Sequence, residues 1–165
     1  MLDDYDFKPL IEKVLDKLYK KEPELFDLDD TQEIKRHVGE RVIVFRFGLY
    51  FQKELDECGR FSEYYLDCEY NRSGINPKKL EGDLIVPDLI LHKRKNNNSN
   101  RLVIEFKGWW NKNQIYDEKK IKEMVKEDGE FRYCEGYTIL LEKNREQVKL
   151  KPLHSKDRNF RFNIK

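Results

Sequence analysis

LIVPDLIL, at residues 84–91, is a short and almost wholly apolar run that one acidic residue, Asp88, interrupts. The run is too short to cross a membrane, and its β-branched residues predict a buried strand. RLVIEFK, at residues 101–107, predicts a second strand. Because strand side chains alternate with a period of two, Glu105 and Lys107 would project from the same face of that strand.

The segment between the two runs, residues 93–100, is polar and rich in asparagine. This composition predicts the exposed turn of a β-hairpin. The hairpin would place Asp88 beside Glu105, with Lys107 next to both. A carboxylate inside an apolar run is costly to bury without a partner, which favours a functional reason for Asp88.

Two carboxylates in one small space need a cation or a shared proton. At a separation of about 4 Å and an effective dielectric of about 20 they repel each other by roughly 4 kcal/mol. Mg²⁺ prefers oxygen ligands and is typically held by one or two carboxylates together with substrate phosphate. We therefore expect Asp88 and Glu105 to bind Mg²⁺, for which Mn²⁺ could substitute, and Lys107 to position the attacking water. The alternative for Glu105 and Lys107 is a weak ion pair on an exposed strand.

A third acidic residue, Glu40, lies upstream in a segment that predicts one long helix, residues 30–57, with Asp30 as its N-cap. One apolar stripe of this helix comprises Ile34, Val38, Val42, Phe45 and Leu49. Glu40 lies on a second stripe, with Val44, Phe47 and Phe51. Its carboxylate is therefore expected on a face that packs against the rest of the protein. The alternative is an edge residue paired with Arg36 or Arg41.

Together, Glu40, Pro87-Asp88 and Glu105-Phe106-Lys107 resemble the PD-(D/E)xK nuclease superfamily over roughly residues 30–142. The resemblance implies an α/β fold with a restriction-endonuclease-like core, which is a small mixed β-sheet flanked by helices. It also implies that Glu40, Asp88 and Glu105 bind Mg²⁺, that Phe106 contributes its backbone carbonyl, and that Lys107 acts on the nucleophilic water. The implied activity is metal-dependent hydrolysis of phosphodiester bonds, with DNA as the expected partner.

Two alternatives stay open. One is a catalytically silent nucleic-acid-binding or interaction protein with the same fold, against which the complete set of acidic and lysine positions argues. The other is a nuclease selective for RNA or for a nucleic-acid structure, which no residue excludes. A homodimer would be consistent with a nuclease that cuts both strands of a duplex, because two cuts need two active sites.

The rest of the chain predicts the remaining helices and strands. We expect an additional N-terminal helix at residues 6–20, a strand at 61–70, a helix at 117–126 and a strand at 137–141. The length of 165 residues predicts a single domain, residues 1–165. With no run of eighteen apolar residues and an acidic N-terminus in place of a signal peptide, the sequence predicts a soluble, cytoplasmic protein without a membrane partner.

The net charge of +1 conceals an uneven distribution of charge along the chain. Residues 1–33 carry eleven acidic and five basic side chains, whereas residues 142–165 carry eight basic and three acidic ones. This asymmetry predicts a positively charged track for a polyanion. Six further residues are candidates for phosphate contacts, namely Lys93, Arg94, Lys95, Lys112, Lys119 and Lys120. Trp109 and Trp110 are candidates for stacking on bases. Solvated surface charge and core packing are the respective alternatives.

Overall fold

The computed structural model describes residues 5–26, 37–111 and 115–153. Within these ranges, three α-helices accompany a five-stranded mixed sheet, which confirms the predicted α/β class. The helices are α1 (Lys8–Lys21), α2 (Glu40–Cys58) and α3 (Ile115–Met124). The strands are β1 (Tyr65–Cys68), β2 (Arg72–Ser73), β3 (Asn76–Pro77), β4 (Lys79–Leu80), β5 (Asp83–Leu84), β6 (Leu89–His92), β7 (Leu102–Lys107), β8 (Glu135–Leu140) and β9 (Lys149–Leu153).

The sheet has the order β1-β6-β7-β8-β9, and the short strands form two separate pairs, β2 with β3 and β4 with β5. Strand β7 is central. It pairs antiparallel with β6, which confirms the predicted hairpin, and parallel with β8. A parallel pair needs a crossover connection, and α3 lies in that connection. Strand β9 extends the sheet beyond β8 and was not predicted.

The alternation of side chains along β7 divides the core into two clusters. Leu102, Ile104 and Phe106 pack into the larger cluster with residues of α1 and α2. Val103 belongs to the smaller cluster, with Ile121 and other residues of α3. Glu105 and Lys107 share the parity of Val103, so their side chains emerge on the α3 side of the sheet.

Helix α1 confirms the additional N-terminal helix. Its apolar face is buried as the spacing predicts, and comprises Leu10, Ile11, Val14, Leu15 and Leu18. Lys13 and Lys17 on this helix form ion pairs with the buried Glu54 of α2. These contacts fasten α1 to α2 on the face of the sheet opposite α3.

Helix α2 begins at Glu40, whereas residues 37–39, which the predicted helix includes, are not helical and Gly39 has an extended backbone. The predicted helical residues 30–36 are not among those that the structure describes. Asp30 lies outside the described residues. Of the two apolar stripes, the first is exposed where it lies on α2, since Val42, Phe45 and Leu49 are 46%, 55% and 46% exposed. The buried face is the second stripe, which comprises Val44, Phe47 and Phe51 together with Ile43 and Leu55.

The run at residues 84–91 is not one strand, because Leu84 ends β5, residues 85–88 are not in a strand and Leu89 begins β6. Leu84 and Val86 are exposed, and β6 begins at Leu89, directly after Asp88. Pro87 has no N–H for a ladder hydrogen bond, and the chain bends at Asp88. The asparagine-rich turn is also less exposed than predicted at its end, where Asn100 is buried and donates to the Phe131 carbonyl at 2.7 Å. Among the helices of residues 5–26, 37–111 and 115–153, none is long and apolar enough to span a bilayer.

Candidate active site at the end of strand β7

Two backbone amides at the end of β7, those of Phe106 and Gly108, lie beyond the point where the ladder between β7 and β6 stops. The last pair of that ladder is Leu89 with Ile104. The carbonyls of Arg101 and Lys107 accept hydrogen bonds on the β8 side, from Glu135 and Leu141. Because successive residues of a strand direct their N–H groups to opposite neighbours, the amides of the even-numbered residues point towards β6.

Asp88 takes the first of these amides. Its Oδ2 accepts a hydrogen bond from the N–H of Phe106 at 2.7 Å. One step of register beyond the last ladder pair also places Asp88 opposite Glu105. The structure therefore brings Asp88 against the backbone of the Glu105-Phe106-Lys107 segment, as the hairpin predicts.

Glu40 takes the second amide. It is the first residue of α2, and its Oε2 accepts a hydrogen bond from the N–H of Gly108 at 2.8 Å. The N-terminus of a helix favours a negative charge, since the orphan backbone N–H groups and the helix dipole are positive there. The alternative pairing with Arg41 is not observed, because Arg41 contacts Glu69 at 2.6 Å; Arg36 lies outside the described residues.

Glu40 and Asp88 line one pocket, which we call the carboxylate pocket, together with Arg41, Phe45, Cys68 and Glu69. Burial raises the pKa of the Cys68 thiol, and the negative charges of Asp67, Glu69 and Asp88 raise it further. The pocket therefore has a negative potential, which favours a cation. The backbone of Phe106 faces the same side, because the carbonyl of a strand residue points to the same neighbour as its N–H. The Phe106 side chain is in the core and packs edge-on against Phe47.

Glu105 and Lys107 line a second pocket, on the α3 side, which we call the lysine pocket; it is also lined by Glu118, Lys149 and Lys151. Glu105 is 4% exposed, and its Oε2 lies 2.7 Å from Nζ of Lys120 on α3. The end of β7 thus separates two carboxylates on one side from a carboxylate and a lysine on the other.

The described residues do not group three carboxylate, histidine or cysteine side chains in a way that could hold a metal ion. The donors of the carboxylate pocket fit Mg²⁺ in chemistry, since both Glu40 and Asp88 line it and carboxylate oxygens are ligands that Mg²⁺ prefers. Glu105 is held apart from them by its ion pair with Lys120. The predicted convergence of three carboxylates is therefore only partly observed.

Other predicted contact residues have partners inside the protein. Lys93 pairs with Glu63, Arg94 with Asp67, and Lys119 with Glu81. Trp110 stacks on His37 at a centroid distance of 4.2 Å, and Trp109 packs against the larger core cluster. These positions match the alternatives of surface ion pairing and core packing. The basic residues after Leu153 lie outside the described residues.

Sequence reasoning missed a second polar cluster near β1. Asp67 accepts hydrogen bonds from His92 and Arg94, each at 2.9 Å, and burial lowers the pKa of His92 despite this carboxylate. Lys78 is 1% exposed beneath the ring of Tyr70, and burial lowers its pKa to about 8. None of these residues lines either pocket at the end of β7.

Lys120 was assigned to the surface, although its position could have been recognised. It precedes the buried Ile121 and lies four residues before the buried Met124, which places it on the inward side of α3.

A scan against models of known protein families finds no match, and a search of curated proteins finds no significant relative.

Proposed function

We propose that this protein is a Mg²⁺-dependent nuclease with a restriction-endonuclease-like core, and that it hydrolyses phosphodiester bonds in DNA. One observation carries the proposal: the carboxylates of Asp88 and Glu40 are fixed on the amides of Phe106 and Gly108, which flank Lys107. Two acidic groups from distant elements are thereby held on the backbone amides on either side of the lysine of the Glu-x-Lys strand, while the Lys107 side chain lines the lysine pocket.

These residues divide the chemistry between them. Asp88, Glu40 and the Phe106 carbonyl would hold the metal, and Glu105 would complete the ligand set only once its ion pair with Lys120 is broken. Bound Mg²⁺ supplies Lewis-acid polarisation of the phosphate and lowers the pKa of water. Lys107 orients the attacking water and offsets the charge that develops on the phosphate. Lys149 and Lys151, which share the lysine pocket, offer a path for the flanking phosphates.

The experiment is a cleavage assay on purified protein with circular, linear, branched and single-stranded DNA and with RNA, with and without Mg²⁺ or Mn²⁺. We expect metal-dependent cleavage of DNA. Lys107→Ala should lower turnover by about 10²- to 10⁴-fold with little change in substrate affinity, since Lys107 acts mainly in the transition state. Lys53→Ala is the control, because Lys53 is an exposed helix residue with only a 3.9 Å contact to Glu57.

Cleavage at the native rate by Lys107→Ala would show that the catalytic assignment is wrong. Metal-dependent cleavage of RNA or of branched DNA alone would keep the mechanism and change the substrate. Binding of nucleic acid without cleavage under any condition would favour the second candidate, a catalytically silent binding protein. The ion pair between Glu105 and Lys120 specifically favours that candidate, because it occupies one of the predicted metal ligands.

A further inference from the structure

Lys120 is buried beside the candidate site but has no role in the proposed hydrolysis. Its side chain is 8% exposed, and its ammonium lies 2.7 Å from Oε2 of Glu105. A second contact, at 3.4 Å, runs to the carbonyl of Val86, immediately before Pro87 and Asp88. Lys120 therefore links α3 both to the Glu-x-Lys strand and to the segment that carries Asp88.

A buried carboxylate needs a compensating charge whether or not a metal is present. Without metal, the ammonium of Lys120 provides that charge for Glu105. A divalent cation on Glu105 would place a second positive charge beside the same ammonium, where the low dielectric strengthens the repulsion. Metal and lysine therefore compete for one carboxylate.

We propose that Lys120 is the resident counter-ion of Glu105, a positioning residue that orients this carboxylate in the metal-free protein and weakens divalent-cation binding at the end of β7. The inference rests on the proposed function in one respect, namely that Glu105 is a metal ligand. It adds a regulatory property: the metal must displace or repel the ammonium to complete its ligand set, so the site fills only at a higher metal concentration.

The test replaces Lys120 in two ways and measures Mn²⁺ affinity by titration calorimetry, with thermal melting in parallel. Lys120→Gln removes the charge but keeps a hydrogen-bond donor for Glu105, whereas Lys120→Arg keeps the charge. We expect Mn²⁺ to bind Lys120→Gln about tenfold more tightly or better, and Lys120→Arg with the affinity of the unchanged protein. The melting temperature of Lys120→Gln should be lower without metal and should rise more on addition of Mn²⁺.

Glu54 offers a matched control, since it is also buried and paired with lysines. Replacing Lys13 and Lys17 by Gln should lower the melting temperature and leave Mn²⁺ affinity unchanged. If Lys120→Gln does not fold without metal, the proposal requires Mn²⁺ to restore its cooperative melting. Absence of that rescue would overturn it.

The remaining outcomes separate this inference from the function on which it rests. Mn²⁺ binding that is equal or weaker in Lys120→Gln than in the unchanged protein overturns the inference and leaves the nuclease proposal standing. Equal tightening in Lys120→Arg also overturns it, because size and not charge would then control the site. If neither the unchanged protein nor any variant binds Mn²⁺, the proposed metal site fails and the inference fails with it. Binding to Lys120→Gln alone supports the inference in its strongest form.

Discussion

Asp88 combines a structural role with the proposed chemical one, and two substitutions should separate them. Its carboxylate accepts a hydrogen bond from the Phe106 N–H. This amide lies beyond the last pair of the ladder between β6 and β7, so the Asp88 side chain takes the place of a backbone acceptor. Asp88→Asn retains an oxygen acceptor for that amide, whereas Asp88→Ala removes it. Leaving a buried donor unsatisfied costs about 1–3 kcal/mol.

We therefore expect Asp88→Ala to lower the free energy of unfolding by about 1–3 kcal/mol, and Asp88→Asn to be nearly as stable as the unchanged protein. Both variants should lose most of the stabilisation that Mg²⁺ or Mn²⁺ gives the unchanged protein, because both remove a charged ligand. Urea denaturation with and without metal measures both effects. A full metal response in Asp88→Asn would place the ions elsewhere.

Individual residues were predicted best where strand alternation decides their direction. Glu105 and Lys107 share a face as predicted, and Glu40 points inward from its helix. The pairing of Glu105 with Lys120 could not be predicted in the same way, since it depends on how α3 is rotated against β7. One lysine among many in a chain with 39% charged residues carries little information until its helix face is known.

Helix α3 is seated directly on the sheet, and Gly136 of β8 makes that close approach feasible. A Cβ atom at Gly136 would lie 2.5 Å from Cγ2 of Ile121 and 2.7 Å from Cγ1 of Val125. Both neighbours are β-branched and therefore stiff, so they cannot swing away at low cost. The helix as a whole would have to move.

Gly136→Ala should consequently lower the free energy of unfolding by about 1–3 kcal/mol, the usual cost of overpacking a core. It should also lower metal-dependent activity, because a shift of α3 moves Lys120 relative to Glu105. Gly39→Ala is a suitable control, since a Cβ atom at Gly39 would meet nothing within 4 Å among the described residues and its backbone φ is negative. Chemical denaturation of the two variants checks the difference, and equal stability would mean that α3 can adjust freely.

At the scale of elements, periodicity predicted that α2 exists and that its face with Val44, Phe47 and Phe51 packs inward, but not that its other apolar stripe is exposed. The helix carries apolar residues around most of its circumference, including the exposed Val42, Phe45 and Leu49. Two stripes at the same helical spacing then compete, and only the packing of α1 and the sheet selects between them. The non-helical residues 37–39 were missed because a glycine such as Gly39 can also lie inside a helix, at a cost of about 1 kcal/mol. The short strands β2–β5 have no periodic pattern that could predict them.

The stability of the whole molecule should depend on the ionisation of Glu135. This β8 carboxylate accepts hydrogen bonds from the Tyr137 hydroxyl at 2.7 Å and from the Phe7 N–H at 3.2 Å, just before α1. Burial raises the pKa of Glu135, and these two hydrogen bonds oppose that rise only in part. The folded state therefore binds a proton more readily than the unfolded chain does.

The sign of the pH dependence follows from linkage. The stabilisation due to protonated Glu135 is fully present below the unfolded pKa of about 4.3 and is lost as the pH rises through the higher folded pKa. Glu135→Gln should retain the acceptor oxygen without the buried charge. It should be more stable than the unchanged protein at pH 7, and the two should converge near pH 4. Denaturation at several pH values measures this gap, and a gap that widens towards low pH would contradict the assignment.

The parallel pairing of β7 with β8 also sets the order in which the molecule can assemble. The hairpin of β6 and β7 closes over a short loop, whereas Leu102 and Glu135 meet only after the chain between them has folded back. The bond from Glu40 to Gly108 spans 68 positions. Loop-closure entropy delays such distant contacts. Asp88 can thus meet Phe106 early on the folding route, while Glu40 reaches the end of β7 late, so catalytic competence belongs to the last steps of folding.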